Sequence, residues 1–155
     1  MVEGSIGIAR GSGGMERHEG GCLCGAVRYV CDGALRQVVF CHCSQCRKQT
    51  GLYYAATSVA KAAVQIDDAA AALRWFAASD FARRGFCGTC GSHLFWDPIG
   101  GADLSVLAGS FDDPGALTAG YHICVAGRAG FYDISDGLPQ FPQGAPGLAI
   151  AGAPG

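Results

Sequence analysis

Along the chain, short apolar runs alternate with turns rich in glycine, and the pattern is that of a turn-rich β protein rather than a helix bundle. Nine runs read as strands: 26–30, 37–40, 53–59, 64–66, 73–76, 82–86, 93–96, 104–108 and 121–125. Nine short strands predict an all-β fold, a sandwich of short antiparallel strands. One helical turn interrupts them, with Ser44 as its N-cap, a body reaching Gln49 and Gly51 as terminator. Asp112-Asp113-Pro114-Gly115 reads as a turn, because proline fixes φ and aspartate bonds local backbone.

With 155 residues the chain suits one domain with a real core. The folded unit is expected over 17–142. Residues 1–16, with Gly11-Ser12-Gly13-Gly14 ahead of Met15, read as a flexible leader, natural or appended, and 143–155 as a flexible Gly/Ala/Pro tail. Only 15% of residues are charged and half are hydrophobic, which argues for a compact globule. A net charge of −2 supplies no electrostatic footprint for nucleic acid or an anionic membrane surface, so neither is expected as a partner. No run approaches a membrane span and the first residues do not resemble a signal peptide, so a cytoplasmic location is expected. The oligomeric state is not legible.

The nine cysteines change the picture. Seven fall into three tight groups, Cys22-Leu23-Cys24, Cys41-His42-Cys43-Ser44-Gln45-Cys46 and Cys87-Gly88-Thr89-Cys90. A disulfide framework would pair distant cysteines, whereas close pairs suit a shared metal. On a strand, residues i and i+2 face one side, so Cys22 and Cys24 can aim at one point. Cys87 and Cys90 do the same by curling a turn, and Gly25 and Gly91 follow where a ligand turn needs positive φ. Together the four predict a closed tetrahedral structural zinc site. A redox reading of Cys87 and Cys90 would need a helix after them, but 93–96 reads as a strand.

Cys41, Cys43 and Cys46 supply three thiolates, and a zinc held by three protein ligands keeps a fourth position for substrate. They are the candidate catalytic centre. His42, Cys31 or Cys124 remain as alternative fourth ligands; His42 would point away from its neighbours if it lies on a strand. Otherwise Cys31 and Cys124 read as core filler, and His93 and His122 as residues of strands. Arg47 and Lys48 follow the triad directly and are candidate contacts for an anionic substrate.

These motifs carry a resemblance. Gly21-Cys22-Leu23-Cys24-Gly25, Cys41-His42-Cys43-Ser44-Gln45-Cys46-Arg47 and Phe86-Cys87-Gly88-Thr89-Cys90-Gly91-Ser92 occur in that order. Gly109-Ser110-Phe111-Asp112-Asp113-Pro114, His122-Ile123 and Asp136-Gly137-Leu138-Pro139-Gln140-Phe141 follow. The chain resembles the glutathione-dependent formaldehyde-activating enzyme family, of the Mss4-like fold. The resemblance implies a β-sandwich with two zinc ions, on Cys22, Cys24, Cys87 and Cys90 and on Cys41, Cys43 and Cys46. It also implies condensation of formaldehyde with glutathione to S-(hydroxymethyl)glutathione, a carbon–sulfur lyase activity. The chain departs from the family pattern around His122-Ile123, with Thr118-Ala119-Gly120-Tyr121 in place of a preceding proline and Arg128 and Phe131 in place of a following lysine and tryptophan.

The expectation is therefore a zinc-dependent lyase-like enzyme acting on glutathione or another thiol–aldehyde adduct. The rival is a non-catalytic zinc scaffold that docks a protein partner.

Overall fold

The computed structural model describes residues 15–148. The expected leader up to residue 14 and the expected tail beyond 148 lie outside the described residues. Strands β1 (Arg17–Gly21), β2 (Arg28–Asp32) and β3 (Val38–Cys41) precede the one α-helix among the described residues, α1 (Ser44–Thr50). Then come β4 (Tyr54–Ala60), β5 (Val64–Asp67), β6 (Leu73–Ala77), β7 (Ala82–Cys87), β8 (His93–Pro98), β9 (Asp103–Leu107) and β10 (Ala119–Ile123). A three-stranded sheet runs β1-β2-β5, and a seven-stranded sheet runs β10-β3-β4-β9-β8-β7-β6.

Side-chain alternation decides which face of the large sheet does what. Val59 of β4 and Leu104 and Val106 of β9 join Tyr29 and Cys31 of β2, Phe95 of β8 and Phe111 in one buried core between the sheets. Tyr54 and Ala56 of β4 and Leu107 of β9 face the other way, against Cys46 of α1. The inner core is aromatic at its centre, where Tyr29 meets Phe95 and Phe111 edge-on at 5.4 and 5.5 Å between ring centroids. The Tyr29 hydroxyl finds a partner in Ser110 Oγ at 2.8 Å, so its burial leaves no polar group unmatched.

Two details differ from expectation. The pairing of β10 with β3 is parallel, with a register shift between Ala119 and Tyr121, whereas the other strand pairs are antiparallel. A parallel neighbour requires a long crossover, and here the connection contains β4 to β9. The strand β1 has no hydrophobic alternation to announce it; of Arg17-His18-Glu19-Gly20-Gly21 only Gly20 is buried, and the strand exists through its ladder to β2.

The outer edge of β10 is covered rather than left open. His122 N–H donates to the Pro139 carbonyl at 2.8 Å, Phe141 N–H to His122 at 2.9 Å, and Cys124 N–H to Gln143 at 2.9 Å. Covering an edge in this way satisfies its free backbone groups. It also draws residues 143–148, expected in the loose tail, onto the sheet: Ala145 is buried and Leu148 packs beside Val39, Ile123 and Cys124. Among the described residues no helix is long and apolar enough to cross a membrane.

Candidate functional site

The first cysteine cluster forms where two turns meet. Cys22 and Cys24 sit on a turn after β1, not on a strand as the C-x-C spacing suggests, and the Gly25 N–H closes that turn onto the Cys22 carbonyl at 3.1 Å. Cys87 ends β7, and the Gly91 N–H closes the second turn onto the Cys87 carbonyl at 2.8 Å. Gly25 and Gly91 have φ of 80° and 79°, the left-handed conformation that glycine adopts without a Cβ penalty. Ser92 ties the turns together, since its hydroxyl accepts the Leu23 N–H at 3.0 Å and lies 3.2 Å from Cys90 Sγ.

The four sulfurs lie within 4.8 Å of one another. Cys24 Sγ stands 3.6 Å from Cys22 Sγ and 3.8 Å from Cys87 Sγ. A tetrahedron with metal–sulfur bonds of 2.3 Å has edges of about 3.8 Å, so the donor set and its spacing fit zinc. The Val27 N–H donates to Cys22 Sγ at 3.2 Å, an amide–sulfur bond that favours the thiolate. Side-chain and backbone bonds to Ser92 pull the Cys90 thiol down to about 5.

The second cluster is built by the end of β3 and the start of α1. Cys43, rather than Ser44, is the N-cap: its φ of −66° and ψ of 161° are extended, and Sγ accepts the Cys46 N–H at 3.4 Å. Gly51 closes the helix in the left-handed conformation, as expected. This one short turn brings Cys41, Cys43 and Cys46 within 4.8 Å of one another. The nearby Cys41 and Cys46 sulfurs hold the Cys43 thiol well below its usual range, while the crowding of Cys41 by Cys124, Cys43 and Cys46 pushes that thiol up. Three thiols that share protons in this way would give them up to a divalent cation, so this cluster too could hold zinc.

His42 does not join the cluster. Its Nε2 lies 2.8 Å from His122 Nδ1, its Nδ1 meets the Tyr132 hydroxyl, and His122 Nε2 lies 2.8 Å from Asp136 Oδ2. Both ring nitrogens of His42 are thus engaged, and burial, with His122 and Arg128 nearby, lowers its pKa to about 4, keeping the ring neutral. The chain Tyr132–His42–His122–Asp136 locks the backbone between two cysteines of the triad from behind. Cys31 is fully buried in the inter-sheet core, and His93 lies on β8 away from both clusters' sulfurs. Cys124 is closer to the chemistry than core filler: it neighbours Cys41, lines the same pocket, and adopts a φ of 54° that is strained for a residue with a Cβ.

All three cysteines of the second cluster line a pocket of about 260 Å³, together with Val39, Ala56, Phe81, Trp96, Ile123 and Leu148. Its cations are Arg36 and Arg84. Arg47 and Lys48, the basic residues expected from sequence to meet substrate, are not in the lining, because α1 turns them away from the face that carries Cys46. Arg84 is 3% exposed, and its Nη2 donates to Gln45 Oε1 at 3.3 Å and to Cys46 Sγ at 3.4 Å. Burial opposes its charge, but the Cys46 and Cys43 thiols outweigh that and raise its pKa further. A positive charge at this point offsets the net negative charge that three thiolates give a divalent ion.

The sequence did hold a signal for Arg84. In β7, Arg84 shares with Ala82 the face opposite Cys87, whose side chain joins the inter-sheet core, and both are buried; a buried charge on a strand is seldom idle. Tyr132 and Asp136 lie outside regular structure; Asp136 opens a motif of the family resemblance, but nothing in the sequence joined it to His122, and Tyr132 carried no signal.

The profile of the family described as "Glutathione-dependent formaldehyde-activating enzyme" matches residues 17–127, well over half of the chain. A crystal structure of a Rhodobacter sphaeroides protein is similar at 21% identity, with a TM-score of 0.47, over 65% of this chain and 98% of that one. No curated protein matches the chain.

Proposed function

Because the chain belongs to the glutathione-dependent formaldehyde-activating enzyme family, we propose that it is a zinc-dependent, carbon–sulfur lyase-like enzyme that joins a thiol to an aldehyde or cleaves the adduct, with glutathione and formaldehyde as the first pair to test. In the forward direction the thiol sulfur forms a bond to the aldehyde carbon, the carbonyl π pair moves to oxygen, and the thiol proton ends on that oxygen. The observation that carries the reading is a three-thiol cluster that opens onto a pocket, beside a four-thiol cluster that is complete in itself.

In this reading Cys22, Cys24, Cys87 and Cys90 hold a structural zinc that joins the two turns, and Cys41, Cys43 and Cys46 hold the second. When bound there, zinc supplies Lewis acidity and a template for the reacting sulfur or oxygen. The chain's own groups do the rest. His42, fixed by Tyr132 and His122, keeps the Cys41–Cys43 segment in place; Arg84 offsets thiolate charge; and Val39, Ile123, Phe81 and Leu148 keep bulk water from the pocket. A reducing compartment such as the cytoplasm would keep the nine cysteines as thiols.

The test is the rate of hydroxymethyl adduct formation from formaldehyde and a panel of thiols, glutathione included, followed by proton NMR with catalytic amounts of zinc-loaded protein. At least one thiol is expected to react well above its uncatalysed rate. No acceleration with any thiol, while both zinc ions are in place, would rule out the lyase reading and leave the scaffold that docks a protein partner.

A further inference from the structure

We infer that Arg84 and Tyr54 form a carboxylate-binding subsite in the pocket beside the second cysteine cluster, so that the thiol taken by this chain is a compact one bearing its own carboxylate. The inference rests on the reading of the second cluster as the reacting centre and adds the identity of what lies next to it.

The case is one of unmatched donors. A guanidinium has five N–H groups, and the Arg84 Nη2 accounts for its two on Gln45 and Cys46. Arg84 Nε and Nη1 are buried and have no partner among the described residues, and the Tyr54 hydroxyl is likewise buried and without one there. Both residues are more than nine-tenths buried, at 3% and 4% exposure, and both line the pocket. The Arg84 guanidinium sits over the Tyr54 ring at 4.9 Å, so the two are held as a unit. Native proteins seldom bury so many donors without an acceptor, because each unmet one is costly. The missing partner is therefore an acceptor that enters the pocket. Since one of the two hosts is a fixed cation with a planar fork, a carboxylate matches it best.

The surroundings set the rest of the ligand. Arg36, the other cation of the lining, directs Nε and Nη2 to the backbone carbonyls of Gln37 and Ala56, and among the described residues Arg84 is the one of the two whose unmatched donors are buried. Arg84 lies within 3.4 Å of Cys46 Sγ, so a carboxylate on it is only a few bonds from a sulfur placed at the second cluster. A volume of about 260 Å³ falls below the roughly 300–1,000 Å³ of sites for drug-sized ligands, and the walls are mainly apolar. A short mercapto acid has those proportions: sulfur at one end, a few methylenes, and a carboxylate at the other.

The experiment is titration calorimetry of the zinc-loaded chain with 3-mercaptopropionate and with its uncharged isostere 3-mercaptopropionamide, without aldehyde. The acid is expected to bind about tenfold or more tighter than the amide, in line with hydrogen bonds to a charged group. Arg84→Gln should bring the ratio to about one, Arg84→Lys should recover it in part, and Tyr54→Phe, which removes only the hydroxyl, should reduce it about threefold. Should Arg84→Gln fail to fold, Tyr54→Phe carries the test. Equal binding of acid and amide to the unaltered chain would overturn the subsite. So would a ratio unchanged in the variants, or losses equal for both ligands, which would mark Arg84 as a counter-ion to Cys46 only. Acid-selective binding without turnover of any thiol would uphold the subsite while defeating the lyase reading, and turnover without acid selectivity would do the reverse.

Discussion

Replacing Cys87 with serine is expected to leave a chain that does not fold at 25 °C. Cys87 is fully buried, it ends β7, and its sulfur stands 3.8 Å from that of Cys24, sixty-three positions earlier in the chain. Apparent binding energies for structural zinc are about 10–16 kcal/mol, as large as the whole stability of a typical domain at about 5–15 kcal/mol. Removing one thiolate from a closed set of four forfeits most of that. The control is Cys31→Ser: Cys31 is equally buried, in the core between the sheets, but belongs to neither cluster. Its cost is that of burying a hydroxyl, about 1–3 kcal/mol. Circular dichroism on heating, with and without chelator, separates the two. If Cys87→Ser melts like Cys31→Ser, the four-thiol cluster is not what holds the turns together.

Cys43→Ser is expected to do the opposite, removing the reaction while keeping the fold. Serine is among the best N-cap residues, so its Oγ can accept the Cys46 N–H as Cys43 Sγ does now, and α1 keeps its start. The inter-sheet core and the first cluster are untouched. What goes is one of three thiolates, and two are too few to hold zinc in an open site. Turnover of the best thiol should fall by about 100-fold, the upper end of what losing even an outer-shell partner of a metal costs, with the melting temperature within a few degrees of the unaltered chain. Unchanged turnover would show that the three-cysteine cluster is not the reacting centre.

The two clusters were legible in sequence because their signal is spacing, which survives without knowledge of the fold: Cys87-Gly88-Thr89-Cys90 must curl wherever it sits. The local backbone was less legible. Cys22 and Cys24 converge through a turn rather than a strand, and Cys43 caps α1 in place of Ser44, because a sulfur can accept the N–H that a hydroxyl would otherwise take. Most strands announced themselves by alternation, but β1, polar and glycine-ended, owes its existence to β2 and could not.

The pocket was hidden for a different reason. Its buried donors Tyr54 and Arg84 come from β4 and β7, and neither lies near Cys41, Cys43 or Cys46 in sequence, whereas Arg47 and Lys48 adjoin the triad and are carried elsewhere by the helix. Proximity along the chain pointed to Arg47 and Lys48, which do not line the pocket. Residues 143–148 were undervalued similarly: they read as part of a loose tail, yet the Gln143 carbonyl accepts the Cys124 N–H at the edge of β10 and Leu148 joins the pocket wall.

The most direct test of two zinc centres, one closed and one open, is zinc content per chain by elemental analysis, with thiol titration before and after mild chelation. The account predicts close to two zinc ions, one released by the chelator together with newly reactive Cys41, Cys43 and Cys46, and one retained. A single, tightly held zinc, with those three thiols free from the outset, would contradict it.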